Sequence, residues 1–343
     1  MTIAKRVALV GGVLFITSLI LFAQDSPSSQ QPVASINGKV LTLNDFQAGE
    51  SATLLQAQFQ YYVTERKALD DAIDNRLLGD EAKKRNITVD QLLETEAYKN
   101  VKDPTEDQLE VYYEGLDTQE PYSSVRGQVL DHIRELRRSK ARAAYVEQLR
   151  RQAHIQVLLM PPTADVNTKN DYVLGDKKAP VVLVEFADYQ CPYCQKVAPQ
   201  IQQLKKEFGP ELTLIYKDFP LPMHPNSEKA AEAARCAGDQ GKFWEYHDVL
   251  FSSQELRPDE LKQHARTLNL DTKSFDACLD NGTEAPAVKK ELQEAQDLGL
   301  TGTPSFFVNN HFFSGVVDYA ALKEIINQQL NVEGAKQQML SKK

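Results

Sequence analysis

The chain has 343 residues, 42% of them hydrophobic, and a formal net charge of −9 at pH 7. This length predicts two domains, and the negative charge argues against nucleic acid as the main partner. Four cysteines are too few for a disulfide-rich scaffold.

The N-terminal segment predicts export. Lys5 and Arg6 precede an apolar run at residues 7–23, and a polar stretch rich in Ser, Gln and Pro follows. This order is typical of a secretory signal peptide. The run also has the length of a membrane-spanning helix, so an uncleaved anchor at residues 1–23 is the alternative. In both cases we expect the rest of the chain in the periplasm or cell envelope.

Residues 24–161 predict a helical module that opens with a β-hairpin. Asn37-Gly38 separates two short β-type runs and suits a type I′ turn. Thr42, Thr88 and Thr105 each have an acidic or amide side chain three positions on, a pattern that begins helices. We predict a long helix over residues 124–153 and a closing strand over residues 154–159.

A polar stretch broken by Pro and Gly follows at residues 162–180 and predicts a linker. We place a second domain at residues 181–331 and a tail at residues 332–343. The second domain contains the motifs that carry chemistry.

The most informative motif is Cys191-Pro192-Tyr193-Cys194. It follows an apolar run that predicts a buried strand and precedes a predicted helix at residues 195–208. A C-x-x-C motif at such a junction is typical of a thioredoxin-like redox site. The helix N-terminus favours a thiolate, and Pro192 suits the first helical position. A zinc site and a purely structural disulfide are the alternatives.

A second motif lies downstream, where Thr303-Pro304 opens an apolar run rich in β-formers. Proline is tolerated at the first residue of a strand. Together with residues 184–186, the cysteine motif and a helical stretch at residues 227–281, this segment resembles the DsbA-like thiol–disulfide oxidoreductases. The resemblance covers about residues 171–330.

This resemblance implies a thioredoxin fold with an inserted helical subdomain. It implies a cis peptide bond at Pro304, and a loop that presents the backbone of Thr303 and Pro304 to the substrate. Pro192 and Tyr193 would contact the substrate and tune the reduction potential. Cys191 would be the nucleophile because it begins the helix, and Cys194 would resolve the mixed disulfide.

Two further features concern charged and sulfur-containing side chains. Glu185 interrupts an apolar strand, so its pKa should rise or it should have a partner, for which Lys217 is the candidate. The family carries a buried acid at this place that assists proton transfer at the inner cysteine. Some members also have a second disulfide, and in an exported protein Cys236 and Cys278 are expected to form one. Two buried free cysteines are the alternative.

The first half resembles the N-terminal chaperone domain of SurA-like and trigger-factor-like folding factors. The resemblance rests on residues 33–41, 72–78, 82–89 and 104–106. Residues 115–122 are too few to hold the parvulin domain that often interrupts this module. The resemblance implies binding of unfolded peptides, with dimerisation or a spacer role as the alternative.

These motifs predict an envelope thiol–disulfide oxidoreductase that needs no cofactor or metal. The expected substrates are exported proteins that are unfolded or contain cysteine, and a membrane partner linked to quinone would reoxidise the enzyme. We expect an oxidase first, although Pro-Tyr is not the Pro-His dipeptide of strong oxidases. An isomerase or reductase with chaperone activity, and a holdase or assembly factor with a secondary redox site, are the alternatives. A homodimer is the expected assembly if the first half dimerises.

Overall fold

A computed structural model of the chain describes residues 30–169, 171–253, 255–315 and 319–341. The chain divides into two compact units, Met1–Glu50 and Ser51–Lys343. The predicted signal peptide or anchor at residues 1–23 lies outside the described residues. Within the described ranges, every helix is too short or too polar to cross a lipid bilayer.

The first unit contains the predicted hairpin. Strand β1 (Pro32–Ile36) pairs antiparallel with β2 (Lys39–Thr42). Asn37 and Gly38 have φ angles of 51° and 79°, as a type I′ turn requires. Helix α1 (Leu43–Gly49) follows β2, and the Thr42 hydroxyl caps it by accepting the Asp45 N–H.

Helices form the first half of the second unit. They are α2 (Ser51–Lys84), α3 (Val89–Leu92) with a π-helical turn (Leu93–Ala97), α4 (Glu106–Glu114) and α5 (Tyr122–Gln152). Thr88 and Thr105 cap α3 and α4 with the predicted reciprocal hydrogen bonds. The predicted strand at residues 154–159 does not form. These residues have no regular secondary structure, and the Val157 carbonyl accepts a hydrogen bond from the Gln328 side chain instead.

Helix α2 belongs to two apolar clusters. Near its start, Phe59 and Tyr62 pack into the core of the sheet, and Phe59 meets Phe312 edge-on at 5.1 Å between ring centroids. Near its end, Leu78 and Ala82 pack against α5. Its 34 residues span about 50 Å at roughly 1.5 Å per residue, which is long enough to serve both. The predicted domain boundary at residue 161 therefore does not separate two compact units.

A five-stranded sheet with the order β3-β5-β4-β6-β7 lies in the described part of the second half. Its strands are β3 (Tyr172–Leu174), β4 (Val181–Ala187), β5 (Leu212–Asp218), β6 (Ser305–Val308) and β7 (His311–Ser314). β4 and β5 are parallel and the other pairs are antiparallel. Helix α6 (Pro192–Phe208) makes the crossover that a parallel pair needs.

The predicted linker at residues 162–180 requires correction. It contains β3, which pairs with β5, and Thr163 forms an isolated β-bridge with His311. Three paired residues are too short a run for strand periodicity to stand out in a polar sequence. The sheet therefore begins inside the stretch that its composition marks as a linker.

The predicted helical insertion lies between β5 and β6. It contains α7 (Ser227–Gly238), α8 (Phe243–Ser252), α9 (Pro258–Thr267), α10 (Thr272–Asp280) and α11 (Ala285–Asp297). Small side chains at Ala230, Ala233, Ala234 and Ala237 are fully buried on α7, so that neighbouring helices approach it closely. After β7, helix α12 (Tyr319–Ser341) runs through most of the predicted tail.

Candidate dithiol site

The cysteine pair lies where strand β4 ends and helix α6 begins. β4 ends at Ala187, and after a short loop Cys191 is the N-cap of α6 with Pro192 in its first turn. The strand-to-helix junction predicted from the motif is therefore present. Cys191 is 3% exposed and Cys194 0%, and both thiols are free. Cys191 is less exposed than its place at a helix end suggested, because the loop at Thr303 covers it.

Hydrogen-bond donors surround the Cys191 sulfur. They hold the pKa of Cys191 at about 5, against an ordinary value of 9.0. The Cys194 thiol contributes most, then the Thr303 hydroxyl and the backbone N–H groups of Cys194 and Tyr193, while burial acts in the opposite direction. The two N–H groups belong to the first turn of α6, where backbone donors are otherwise unpaired. Cys191 is therefore a thiolate at neutral pH.

The inner sulfur has the opposite character. Burial raises the pKa of Cys194 far above 9.0, and its hydrogen bond to Cys191 and the nearby charge of Glu185 raise it further. The backbone N–H of Asp188 acts in the other direction. Cys194 consequently stays a thiol at neutral pH and needs a proton acceptor before it can act as a nucleophile.

Glu185 is the acidic side chain whose charge acts on Cys194. It lies in β4 and is 6% exposed, and burial raises the pKa of its carboxyl to about 8. Within the described residues its Oε1 atom has no hydrogen-bond partner. Glu185 also lines a cavity of about 30 Å³ that extends to Gln202 and Asp248. Such a volume can hold a water molecule next to the carboxyl group.

The predicted pairing of Glu185 with Lys217 is wrong. In the parallel ladder, Glu185 lies opposite Tyr216 and Lys217 lies opposite Phe186. Because side chains alternate along a strand, Glu185 and Lys217 point to opposite faces of the sheet. Lys217 Nζ instead contacts Asp171 at 3.0 Å and Glu294 at 2.9 Å. The error is one of strand register, which the sequence does not reveal.

The loop before β6 faces the cysteines. The peptide bond between Thr303 and Pro304 is cis. The Thr303 carbonyl oxygen lies 3.6 Å from the Cys191 sulfur and accepts a hydrogen bond from it when Cys191 is a thiol. The buried Thr303 hydroxyl has no hydrogen-bond partner in the described structure, yet it is close enough to lower the pKa of Cys191. Thr303 thus offers an acceptor to the thiol and a donor to the thiolate.

We expect Thr303→Val to make Cys191 less acidic, because the variant loses the hydroxyl donor. A hydrogen bond to a charged group is worth about 1.5 to 3 kcal/mol, and about 1.4 kcal/mol corresponds to a tenfold change. Alkylation by iodoacetamide near about pH 4, below the pKa of Cys191 in both proteins, should therefore slow about tenfold. Thr303→Ser keeps the hydroxyl and should react like the parent. Equal rates for the Val and Ser variants would exclude this contribution.

The remaining predicted substrate contacts lie around the same sulfur. Pro192 and Tyr193 are exposed, Tyr193 at 59%, whereas Pro304 is buried beside Thr303. An exposed phenol next to a reactive sulfur is available to a polypeptide that docks there. Cys191, Cys194 and the Thr303-Pro304 loop are therefore in one place, and Lys217 is on the other face of the sheet.

A disulfide bond joins Cys236 of α7 to Cys278 of α10, with 5.9 Å between their Cα atoms. It closes a loop of 42 residues inside the helical insertion. A crosslink over a loop of this length stabilises a fold by about 3 to 4 kcal/mol in the chain-entropy model.

The sequence did not assign a role to Asp188 or to His224. Asp188 is buried at 2% exposure, its carboxylate accepts the His224 Nδ1–H at 2.7 Å, and its backbone contacts both cysteines. The available signal was the spacing of an acidic residue three positions before the first cysteine. Loop composition alone does not distinguish such a residue from a solvated one.

Residues 167–328 match the family model described as Thioredoxin. The matched stretch begins within the predicted linker, before β3, and contains Cys191, Cys194 and Thr303. It confirms the predicted thioredoxin-like α/β fold of the second half, which follows a helical N-terminal region. The match does not reach that helical region, so its SurA-like character stays a prediction.

Among curated proteins, the Na(+)/H(+) antiporter NhaA 1 of Salinispora arenicola is 37% identical over 163 residues, covering 47% of this chain and 25% of the antiporter. NhaA 3 of Salinispora tropica is 36% identical with the same coverage. The chain thus spans about a quarter of the length of these curated relatives. Their names describe whole proteins and carry no activity over to this chain.

Two solved structures match about half of this chain. Oxidised BdbD from Bacillus subtilis has a TM-score of 0.47 and 26% identity, covering 50% of this chain and 99% of that one. A thioredoxin-like oxidoreductase from Silicibacter pomeroyi has a TM-score of 0.43 and 32% identity, covering 48% and 94%.

Proposed function

We propose that this chain is an exported thiol–disulfide oxidoreductase that oxidises cysteine pairs in other exported proteins. The observation that carries the proposal is the contrast between two neighbouring sulfurs. The pKa of Cys191 is lowered to about 5 while that of Cys194 is raised. One sulfur is thus a stable anion and the other a protected thiol, which is the division of roles that dithiol exchange needs.

The exchange begins from the Cys191–Cys194 disulfide. A substrate thiolate attacks the Cys191 sulfur, the bond between the two cysteines breaks, and Cys194 leaves as a thiolate that takes up a proton. A second substrate thiolate then attacks the substrate sulfur of the mixed disulfide and releases Cys191 as a thiolate. The substrate loses two electrons and gains a disulfide, and the protein gains two electrons. A low pKa makes Cys191 a good leaving group in the last step.

Glu185 is the proposed proton donor for the departing Cys194. Its pKa of about 8 keeps the carboxyl protonated at neutral pH, and once the carboxyl is ionised its charge raises the pKa of Cys194. In the reverse direction, the carboxylate would accept the Cys194 proton. The small cavity that extends to Gln202 and Asp248 gives the carboxyl a place for water-mediated exchange.

The reduction potential of the Cys191–Cys194 pair tests the direction of catalysis. A stabilised Cys191 thiolate favours the reduced protein and makes the disulfide oxidising. We expect a potential nearer to about −120 mV than to about −270 mV, the values for a strong oxidant and for thioredoxin. The oxidised protein should also transfer its disulfide to a reduced, unfolded test protein. A potential at the thioredoxin end would overturn the oxidase assignment.

The location and partners follow from the same proposal. The N-terminal charge and apolar pattern supports export, and the Cys236–Cys278 disulfide suits an oxidising compartment. The substrates would be exported polypeptides that are still unfolded and contain cysteines. Regeneration of the disulfide requires an electron acceptor, for which we propose a membrane protein linked to quinone.

A second candidate is a disulfide isomerase or reductase whose helical region holds misfolded substrates. The favouring observation is a groove of about 550 Å³ between α4 and α5, whose apolar lining includes Val111, Ile133 and Leu136. Val111 is 69% exposed and Leu136 52%, and exposed apolar patches mark interaction surfaces. Recovery of a test protein with scrambled disulfides would support isomerisation, and no recovery would exclude it.

The same groove could serve a third candidate function, a holdase with a secondary redox site, in which it would bind unfolded chains. It could also be the contact surface of a homodimer. The double variant Val111→Asp, Leu136→Asp should weaken suppression of aggregation if the groove binds unfolded chains. Tyr61→Asp is the matched control, because Tyr61 is 68% exposed and lies outside the groove. Light scattering of the same samples gives the oligomeric state. Unchanged suppression by the double variant would exclude the groove as the binding surface.

We expect Glu185→Gln to slow release of the mixed disulfide and to stabilise the protein at alkaline pH. The folded-state pKa of about 8 lies above the ordinary 4.5. The parent therefore loses stability as pH rises between these values, by up to about 1.4 kcal/mol per pH unit. The variant has no such carboxyl. Denaturant unfolding at pH 4 and pH 8 should show a gain only at pH 8, and an equal gain at both would contradict the titration.

A further inference from the structure

Asp188, in the loop between β4 and Cys191, is a buried carboxylate with a full set of donors. The Gln190 N–H donates to one carboxylate oxygen at 2.7 Å, and the Leu221 N–H and the His224 Nδ1–H donate to the other at 2.8 Å and 2.7 Å. A buried charge is costly unless donors compensate it. Two of the three donors belong to the segment at residues 219–226, so the carboxylate ties that segment to the cysteine loop.

The backbone of Asp188 contacts both cysteines. Its carbonyl oxygen accepts the Cys191 N–H at 3.0 Å. Its own N–H points to the Cys194 sulfur and acts against the rise in that pKa. A shift of Asp188 would therefore move Cys191 relative to the donors in the first turn of α6, and would remove a donor from Cys194.

Two more hydrogen bonds join the same segments. The Phe219 N–H donates to the Ala187 carbonyl at 2.8 Å, and the Asn226 N–H donates to the Gln190 side chain at 2.9 Å. Among these links, the side chain of Asp188 alone makes two contacts to residues 219–226. It is also the only one of the linking residues whose backbone contacts the two cysteines in the described structure.

We propose that Asp188 is a positioning residue, which clamps the segment at residues 219–226 to the cysteine loop and so holds the two sulfurs against their donors. The inference rests on the proposed dithiol function and deepens it. The direction of the effect separates positioning from charge. If the carboxylate acted only by its negative charge, removing it would make the Cys191 thiol more acidic. If it positions the sulfurs, removing it makes that thiol less acidic.

The test is the pH profile of Cys191 alkylation by iodoacetamide in the full chain. Asp188→Asn keeps the shape of the side chain, but it replaces one of the two accepting oxygens with an NH₂ group, which cannot accept a hydrogen bond. We expect the profile to move to higher pH by about one unit, so that alkylation near about pH 4 slows about tenfold. His224→Leu, which removes one donor from the partly exposed His224, should move the profile in the same direction. His224→Asn keeps a side-chain N–H, and its alkylation profile should match that of the parent.

Asp171→Asn is the matched control, because Asp171 is another largely buried carboxylate, directly before β3, and it contacts Lys217 on the face away from Glu185. It should lower stability without moving the alkylation profile. An unchanged or more acidic profile in both Asp188→Asn and His224→Leu would overturn the clamp. Should Asp188→Asn not fold, the two His224 variants decide. An ordinary alkaline profile in the parent would instead reject the proposed function.

Discussion

Replacing Cys191 with serine should abolish disulfide exchange. Cys191 is the sulfur that the substrate attacks in the first step and the thiolate that leaves in the last, and a serine hydroxyl cannot form a disulfide. We expect exchange with a reduced test protein to fall to the uncatalysed rate, measured by the appearance of substrate disulfides. Burial and the raised pKa of Cys194 prevent it from taking over, since it is 0% exposed and protonated at neutral pH.

Cys194→Ser should have a different effect. Cys191 still reacts with a disulfide or an oxidised substrate, but the sulfur that resolves the intermediate is missing. The variant should therefore accumulate mixed disulfides that mass spectrometry can identify, which also reveals the substrates.

The second cysteine pair supplies the matched control. The double variant Cys236→Ser, Cys278→Ser makes the same chemical change in the helical insertion, where the bond joins α7 to α10. It should keep the capacity for exchange and lose about 3 to 4 kcal/mol of stability. Exchange that survives in Cys191→Ser, or disappears in the control at a temperature where it is folded, would contradict the assignment of the two pairs.

The local features that the sequence predicts well depend on few residues. The Asn37-Gly38 turn, the threonine caps of α1, α3 and α4, and the junction that holds Cys191 each follow from backbone preferences over about five positions. The structure has all of them. The thioredoxin-like fold followed from two such motifs at a characteristic separation.

The features that the sequence did not predict depend on contacts between distant segments. Lys217 does not meet Glu185, because a register difference of one residue moves a side chain to the other face of a sheet. The role of α2 in two cores depends on where its two ends pack, and its apolar positions do not reveal this. Two of the three donors to Asp188 come from residues more than thirty positions away, and the sequence around Asp188 is that of an ordinary loop.

The reduced protein should gain stability over its disulfide form as pH rises from about 5 to about 9. The folded-state pKa of Cys191 is about 5, below the ordinary 9.0. A lowered pKa contributes stability that is complete above the unfolded value and is lost as pH falls through the folded value. Each pH unit between the two adds up to about 1.4 kcal/mol. The disulfide form has no thiol to titrate at this site, so it lacks this term.

The comparison between redox forms isolates Cys191 from the other buried acids. Glu185 also titrates in this range, and burial is what raises its pKa, so we expect its contribution to be similar in both forms and to cancel in the difference. Thermal unfolding of the reduced and oxidised protein from pH 4 to pH 9 should give a difference in Tm that grows with pH. The Tm of reduced Cys191→Ser should lack this pH-dependent increase. A difference that stays flat with pH in the parent would mean that Cys191 is an ordinary thiol, and the oxidase proposal would lose its physical basis.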